Sequence, residues 1–139
     1  MSAGAGLAFG ATVTATYEGV SLTASQELTV QASKMTYKKI YKTYAAKMKK
    51  KAPKLVKAFK KEAKASNQNV TTLAKICNAK IRKLAALNTE GTQKMAKLMI
   101  SKNDSYSSYS NWATKLYNVY TKQASIITNA YTNYCKTLY

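Results

Sequence analysis

From Lys34 onward the apolar residues recur every three or four positions. Tyr37, Tyr41, Tyr44, Met48, Ala52, Leu55, Phe59 and Ala63 fall within an arc of about 100° when projected at about 100° per residue, the pattern of one face of a helix. Lys38, Lys39, Lys42, Lys49, Lys50, Lys54, Lys57, Lys60, Lys61 and Lys64 cover the other side. Pro53 sits in the middle of this run and removes one backbone donor, which predicts a kink or a short break near Lys51.

The polar run Ala65-Ser66-Asn67-Gln68-Asn69 predicts a turn. A second helix then starts at about Val70, with Leu73, Cys77, Ile81 and Leu84 on one face and Lys75, Arg82 and Lys83 on the other. Asn88-Thr89-Glu90-Gly91 has the composition of a stop signal. The apolar stripe nevertheless resumes in the same phase at Met95, Leu98 and Met99, so one long helix to about Lys102, weakened near Gly91, is expected. Lys102-Asn103-Asp104-Ser105 ends it, and a third helix spans about Ser108 to Leu138. Its aromatic and aliphatic positions spread over about half the circumference. That is more than one neighbouring helix would cover, so Trp112, Tyr117, Tyr120, Tyr131 and Tyr134 are candidate subunit-interface residues.

Residues 1–33 follow a different rule. Leu7, Phe9, Ala11, Val13, Ala15 and Tyr17 alternate with threonines and small residues at period two, which favours an extended segment. The segment has no lysine before Lys34, no basic start of the kind a secretory signal carries, and no apolar run long enough for a membrane helix. It is read as an arm, with Leu7, Phe9, Val13 and Tyr17 packing on a neighbouring subunit. The expected fold is therefore all-α, with long kinked helices forming a hairpin or bundle over residues 34–139 and an extended N-terminal arm over residues 1–33.

Composition narrows the chemistry. Of 139 residues, 23 are Lys or Arg, five are Asp or Glu and none is His, a net charge of +18. Arg82 is the single arginine. Without histidine there is no imidazole base and no His-ligated zinc. The acids Glu18, Glu27, Glu62, Glu90 and Asp104 are scattered, so no paired-carboxylate site is written locally. Cys77 and Cys135 match no metal or redox spacing, and whether they are bonded is left open. These absences point away from an enzyme, and no metal or cofactor is expected.

Positive charge is concentrated as well as abundant. Between Lys34 and Lys64 there are 13 lysines and one acid, a net of +12 over 31 residues. As a helix that stretch is about 46 Å long, one excess charge per roughly 4 Å. Double-stranded DNA carries one negative charge per about 1.7 Å of axis, so two such helices would nearly neutralise the phosphates they follow. Solvated helix faces usually mix signs, and this one does not, which points to a polyanionic partner. Lysine is a flexible point charge suited to phosphate rather than to base edges. Nor do aromatics interleave with the lysines as a platform for single strands would require. The ten lysines of the first helix, together with Lys75, Arg82 and Lys83, are the candidate nucleic-acid-binding residues.

The Gly/Thr arm through Tyr17, the Lys49-Lys50-Lys51-Ala52-Pro53 helix and the aromatic last helix together resemble the major capsid proteins of filamentous and rod-shaped viruses of hyperthermophilic archaea. The resemblance implies a homodimer or a pair of paralogous chains wrapping linear double-stranded DNA, held in the A form, within a helical nucleocapsid of the virion. In some members a lipid envelope surrounds it. Full neutralisation by +18 corresponds to about nine base pairs per subunit. The near absence of arginine departs from a phosphate-binding surface built on both cations. Alternatives are a cellular chromatin-type DNA-binding protein, a membrane-active amphipathic protein, and an extracellular filament or pilus subunit free of nucleic acid.

Overall fold

A computed structural model of the chain describes residues 35–138. The described residues are all-α: α1 spans Tyr37–Ala65, α2 Val70–Ser101 and α3 Tyr106–Lys136. The arm candidates Leu7, Phe9, Val13 and Tyr17, and Lys34, lie outside the described residues. The helices divide between two compact units, whose described parts are 35–40 with 94–110, and 41–93 with 111–138.

Each helix starts and stops where side chains can satisfy its exposed backbone groups. At the start of α1 the Thr36 hydroxyl accepts from the Lys39 amide at 3.1 Å, an N-cap. At its end Gln68 turns the chain with φ 63°, and its side-chain amide donates to the Ala63 and Lys64 carbonyls at 2.8 and 3.2 Å. Asn69 then caps α2 by accepting from the Thr71 amide at 2.9 Å. At the far end of α2, Asn103 takes φ 51° and the Asp104 amide reaches back to the Met99 carbonyl at 2.9 Å, the bond of a left-handed helix stop. Ser105 follows as the cap of α3, accepting from the Ser108 amide at 3.2 Å. Both predicted interruptions are thus turns, built by Asn and Gln rather than by glycine.

In the larger unit, the core faces of the three helices meet as a bundle. Tyr44, Met48, Ala52, Leu55, Phe59 and Ala63 come from α1, Leu73, Cys77 and Leu84 from α2, and Leu116 and Ile127 from α3, all buried. The α1 stripe matches the sequence pattern except at Tyr41, which is only half-buried and tilts against Trp112 at 5.7 Å between ring centroids. Phe59 makes edge-to-face contacts with Tyr131 and Tyr134 at 6.3 and 6.0 Å between ring centroids, a favoured arrangement for aromatic pairs. Tyr134 also donates to the Gln68 amide oxygen at 2.8 Å, tying α3 to the α1–α2 turn. Burial, and secondarily Cys135, raise the pKa of the Cys77 thiol; both cysteines are unbridged.

In the smaller unit Tyr37 and Ile40 are buried on α1, and Met95 and Leu98 on α2. The Tyr37 hydroxyl donates to Asp104 at 3.0 Å, and the Lys102 ammonium donates to the Met35 carbonyl at 2.7 Å.

α1 and α2 each run through a predicted weak point without a break. Of the kink or short break expected near Lys51, the break does not occur: α1 runs unbroken through Pro53, which is exposed. Water can reach the side of the helix where proline leaves a carbonyl without its donor. The single long helix expected through Gly91 is observed, α2 continuing ten residues beyond it. A Cβ at Gly91 would stand 2.6 Å from Leu116 Cδ2 and 3.0 Å from Tyr44 Cγ. Gly91 is therefore the point at which α1 and α3 both close on α2, and its missing side chain is what permits the approach.

Beside it, the Tyr44 hydroxyl donates to Glu90 at 2.7 Å. Burial first, and then the bond to the carboxylate, push the Tyr44 pKa up to about 12. The folded chain consequently holds this proton to a higher pH than the unfolded chain. The stabilisation it provides is complete below about pH 10 and is lost as pH rises from about 10 to about 12.

Two outcomes follow for stability. Gly91→Ala should lower unfolding free energy by about 1–3 kcal/mol, although alanine is the better helix former by about 1 kcal/mol, because the methyl overpacks the contact with Leu116 and Tyr44. Urea denaturation measures it, and an unchanged or raised midpoint would mean that the three helices do not meet there. Between pH 10 and 12, Tyr44→Phe should lose less stability than the parent chain, by on the order of 2 kcal/mol. Parallel denaturation curves across that range read the difference.

Candidate nucleic-acid interface

α1 places its lysines as the sequence pattern requires. Lys38, Lys39, Lys42, Lys49, Lys50, Lys54, Lys57, Lys60, Lys61 and Lys64 are all exposed. Lys38 and Lys39 belong to the smaller unit and the others to the larger. Lys47 and Lys51 were not in the predicted set but are exposed on the same helix. Lys47 reaches back over the Tyr44 ring at 4.7 Å. Twelve exposed lysines over the 29 residues of α1 give one per about 3.6 Å of helix axis. A single strand of duplex DNA presents one phosphate per about 3.4 Å of axis, a comparable charge density, although the strand winds past a straight helix after a few contacts.

The one acid on α1 does not dilute this charge. Glu62 forms an ion pair with the Lys80 ammonium of α2. The Lys80 side chain is only 8% exposed, whereas that of Glu62 is 50% exposed. Lys80 was not singled out from the sequence, yet it lies three residues after Cys77 and four before Leu84, in phase with the buried stripe. Its aliphatic stem fills the core position and its ammonium reaches out to Glu62, as long cationic side chains do at the edge of an apolar region. Ile81, assigned to that stripe, is only half-buried.

Lys75, Arg82 and Lys83 are exposed on α2. At about 100° per residue, Lys75 and Arg82 project from the side of α2 roughly opposite Lys80. Because Lys80 is directed to α1, these two cations belong to a surface turned away from α1. They form a second, sparser patch rather than an extension of the α1 row.

The aromatic residues of α3 are largely used within the chain. Trp112, Tyr120, Tyr131 and Tyr134 are half-buried, and of the five interface candidates only Tyr117, at 52%, is exposed. Tyr117 and Tyr120 lie 5.7 Å apart, forming an aromatic pair on the outer flank, and Ile126 is also exposed. The breadth of the aromatic face, which suggested contact with other subunits, is explained in large part by Tyr41 and Phe59 of α1.

Among the described residues no cluster of His, Cys, Asp or Glu could hold a metal ion, and no helix is long and apolar enough to cross a membrane. No protein-family model, curated protein or solved structure matches the chain.

The Glu62–Lys80 pair should respond asymmetrically to mutation. Lys80→Met preserves the core volume and leaves a carboxylate that water can already reach, so it should change stability by less than about 1 kcal/mol. Glu62→Gln leaves a buried ammonium without its charge partner and should cost on the order of 1–3 kcal/mol. Equal costs in denaturation experiments would contradict the burial of Lys80.

Proposed function

We propose that this protein is a structural nucleocapsid protein that coats and condenses linear double-stranded DNA and polymerises into a helical filament, as do the archaeal viral capsid proteins it resembles. The observation that carries the reading is the lysine density of α1, matched to that of one phosphate strand, on a helix whose only acid is drawn to Lys80. An ordinary solvated helix would relieve such repulsion with interspersed acids. α1 carries a single acid, and a polyanion along its lysine face would relieve the repulsion.

In this reading the α1 lysines displace counterions from the duplex backbone where it passes the helix, while Lys75 and Arg82 reach a second segment of phosphate. Binding is insensitive to base sequence, because phosphate contacts fix position without reading bases. Tyr117, Tyr120 and the arm residues Leu7, Phe9, Val13 and Tyr17 supply lateral contacts with a second copy or a paralogous chain. The assembled product is the nucleocapsid of a virion, with or without a lipid envelope.

Binding of the full chain to duplex DNA should weaken steeply with salt and vary little with sequence. Replacing Lys50, Lys54, Lys57 and Lys61 by glutamine should leave the helical circular-dichroism signal intact, since all four are exposed. It should also reduce the slope of log K against log salt by about 3–4, roughly one for each phosphate that is no longer neutralised. Binding unaffected by salt would rule out the proposal. A cellular chromatin-type protein would show the same slope but give no DNA-length filaments by electron microscopy.

A further inference from the structure

The side chains of α1 are unusual in what they leave out. Between Tyr37 and Ala65 there is no arginine, asparagine, glutamine or histidine, and the polar residues other than lysine are Thr43, Glu62 and the tyrosines. Tyr37, Tyr44 and Phe59 are buried, and Tyr41 is half-buried against Trp112. Recognition of a nucleic-acid base needs an exposed ring to stack on, or a side chain able both to donate and accept at the base edges, or a planar guanidinium. The exposed face of α1 offers none of these beyond a single threonine. Its twelve ammonium groups act chiefly as point charges for anionic oxygens.

We infer that the α1 face is a site for phosphate polymers as such, and that inorganic polyphosphate, a chain with neither sugar nor base, occupies it in competition with duplex DNA. The inference rests on the reading of α1 as a polyanion surface and adds that no part of its affinity depends on the nucleoside. A duplex winds its backbone away from a rigid helix after a few contacts. A flexible polyphosphate chain can follow the lysine row along the whole length of α1, so it meets at least as many ammonium groups per molecule bound. Competition between the two is therefore expected at comparable phosphate concentration.

The test is displacement of a fluorescent duplex from the full chain, titrated in parallel with long-chain polyphosphate and with unlabelled duplex at matched phosphate concentration. Polyphosphate should displace the probe at no higher phosphate concentration than the duplex does. Substituting Lys50, Lys54, Lys57 and Lys61 by glutamine should weaken both ligands in parallel, whereas Lys122→Gln with Lys136→Gln on α3 should leave both unchanged. A requirement for more than about a tenfold excess of polyphosphate over duplex, a penalty of about 1.4 kcal/mol, would overturn the inference while leaving DNA coating intact. Polyphosphate binding that ignores the α1 substitutions would overturn it as well. Failure of both ligands to bind would remove the underlying reading too.

Discussion

Mutual repulsion among the ammonium groups of α1 is the condition to which the rest of the molecule is adjusted. Twelve lysines on one helix of 29 residues oppose its formation, and no propensity term is large enough to offset them alone. The helix is held by what its other face buries. Met48, Ala52, Phe59 and Ala63 are each fully removed from water, and small alanines alternate with larger side chains so that α2 and α3 can approach. Apolar packing on one side thus stabilises a charge array on the other. The described acids are likewise bound into the fold: Glu62 to Lys80, Glu90 to Tyr44 and Asp104 to Tyr37.

Much of this was legible in the chain because α1 is close to an ideal amphipathic helix. A stripe with period near 3.6 and lysines off the stripe leave few alternatives, and the turns at Gln68 and Asn103 fall within the polar interruptions that marked them. The exposure of the ten predicted lysines follows from the same periodicity. Misreadings arose where one residue type can serve two physical purposes. The helix was expected to continue through Gly91, but the glycine's spatial role was not legible, because its neighbours Tyr44 and Leu116 are distant in sequence. Lys80 was overlooked because a lysine counts as polar, although its phase places it with Cys77 and Leu84.

The α3 aromatics show a different limit. Their number was visible, but whether a ring faces its own chain or another depends on partners that periodicity does not name. Phe59 takes the edges of two tyrosines and Tyr41 takes Trp112, which leaves Tyr117 as the exposed member of the group. The aromatic surface left exposed on this helix is accordingly narrower than the wheel implied. The exposed aromatic surface that remains is the Tyr117–Tyr120 flank.

The turn at Gln68 has a mechanical meaning. One side chain holds the last carbonyls of α1 through its amide nitrogen and the Tyr134 hydroxyl of α3 through its oxygen. Tension applied at the C-terminal end of α3 would pass through Tyr134 and Gln68 into α1, rather than being taken up by loosening of the loop. Load entering at the C-terminal end of α3 is thereby delivered to the helix that carries the lysines.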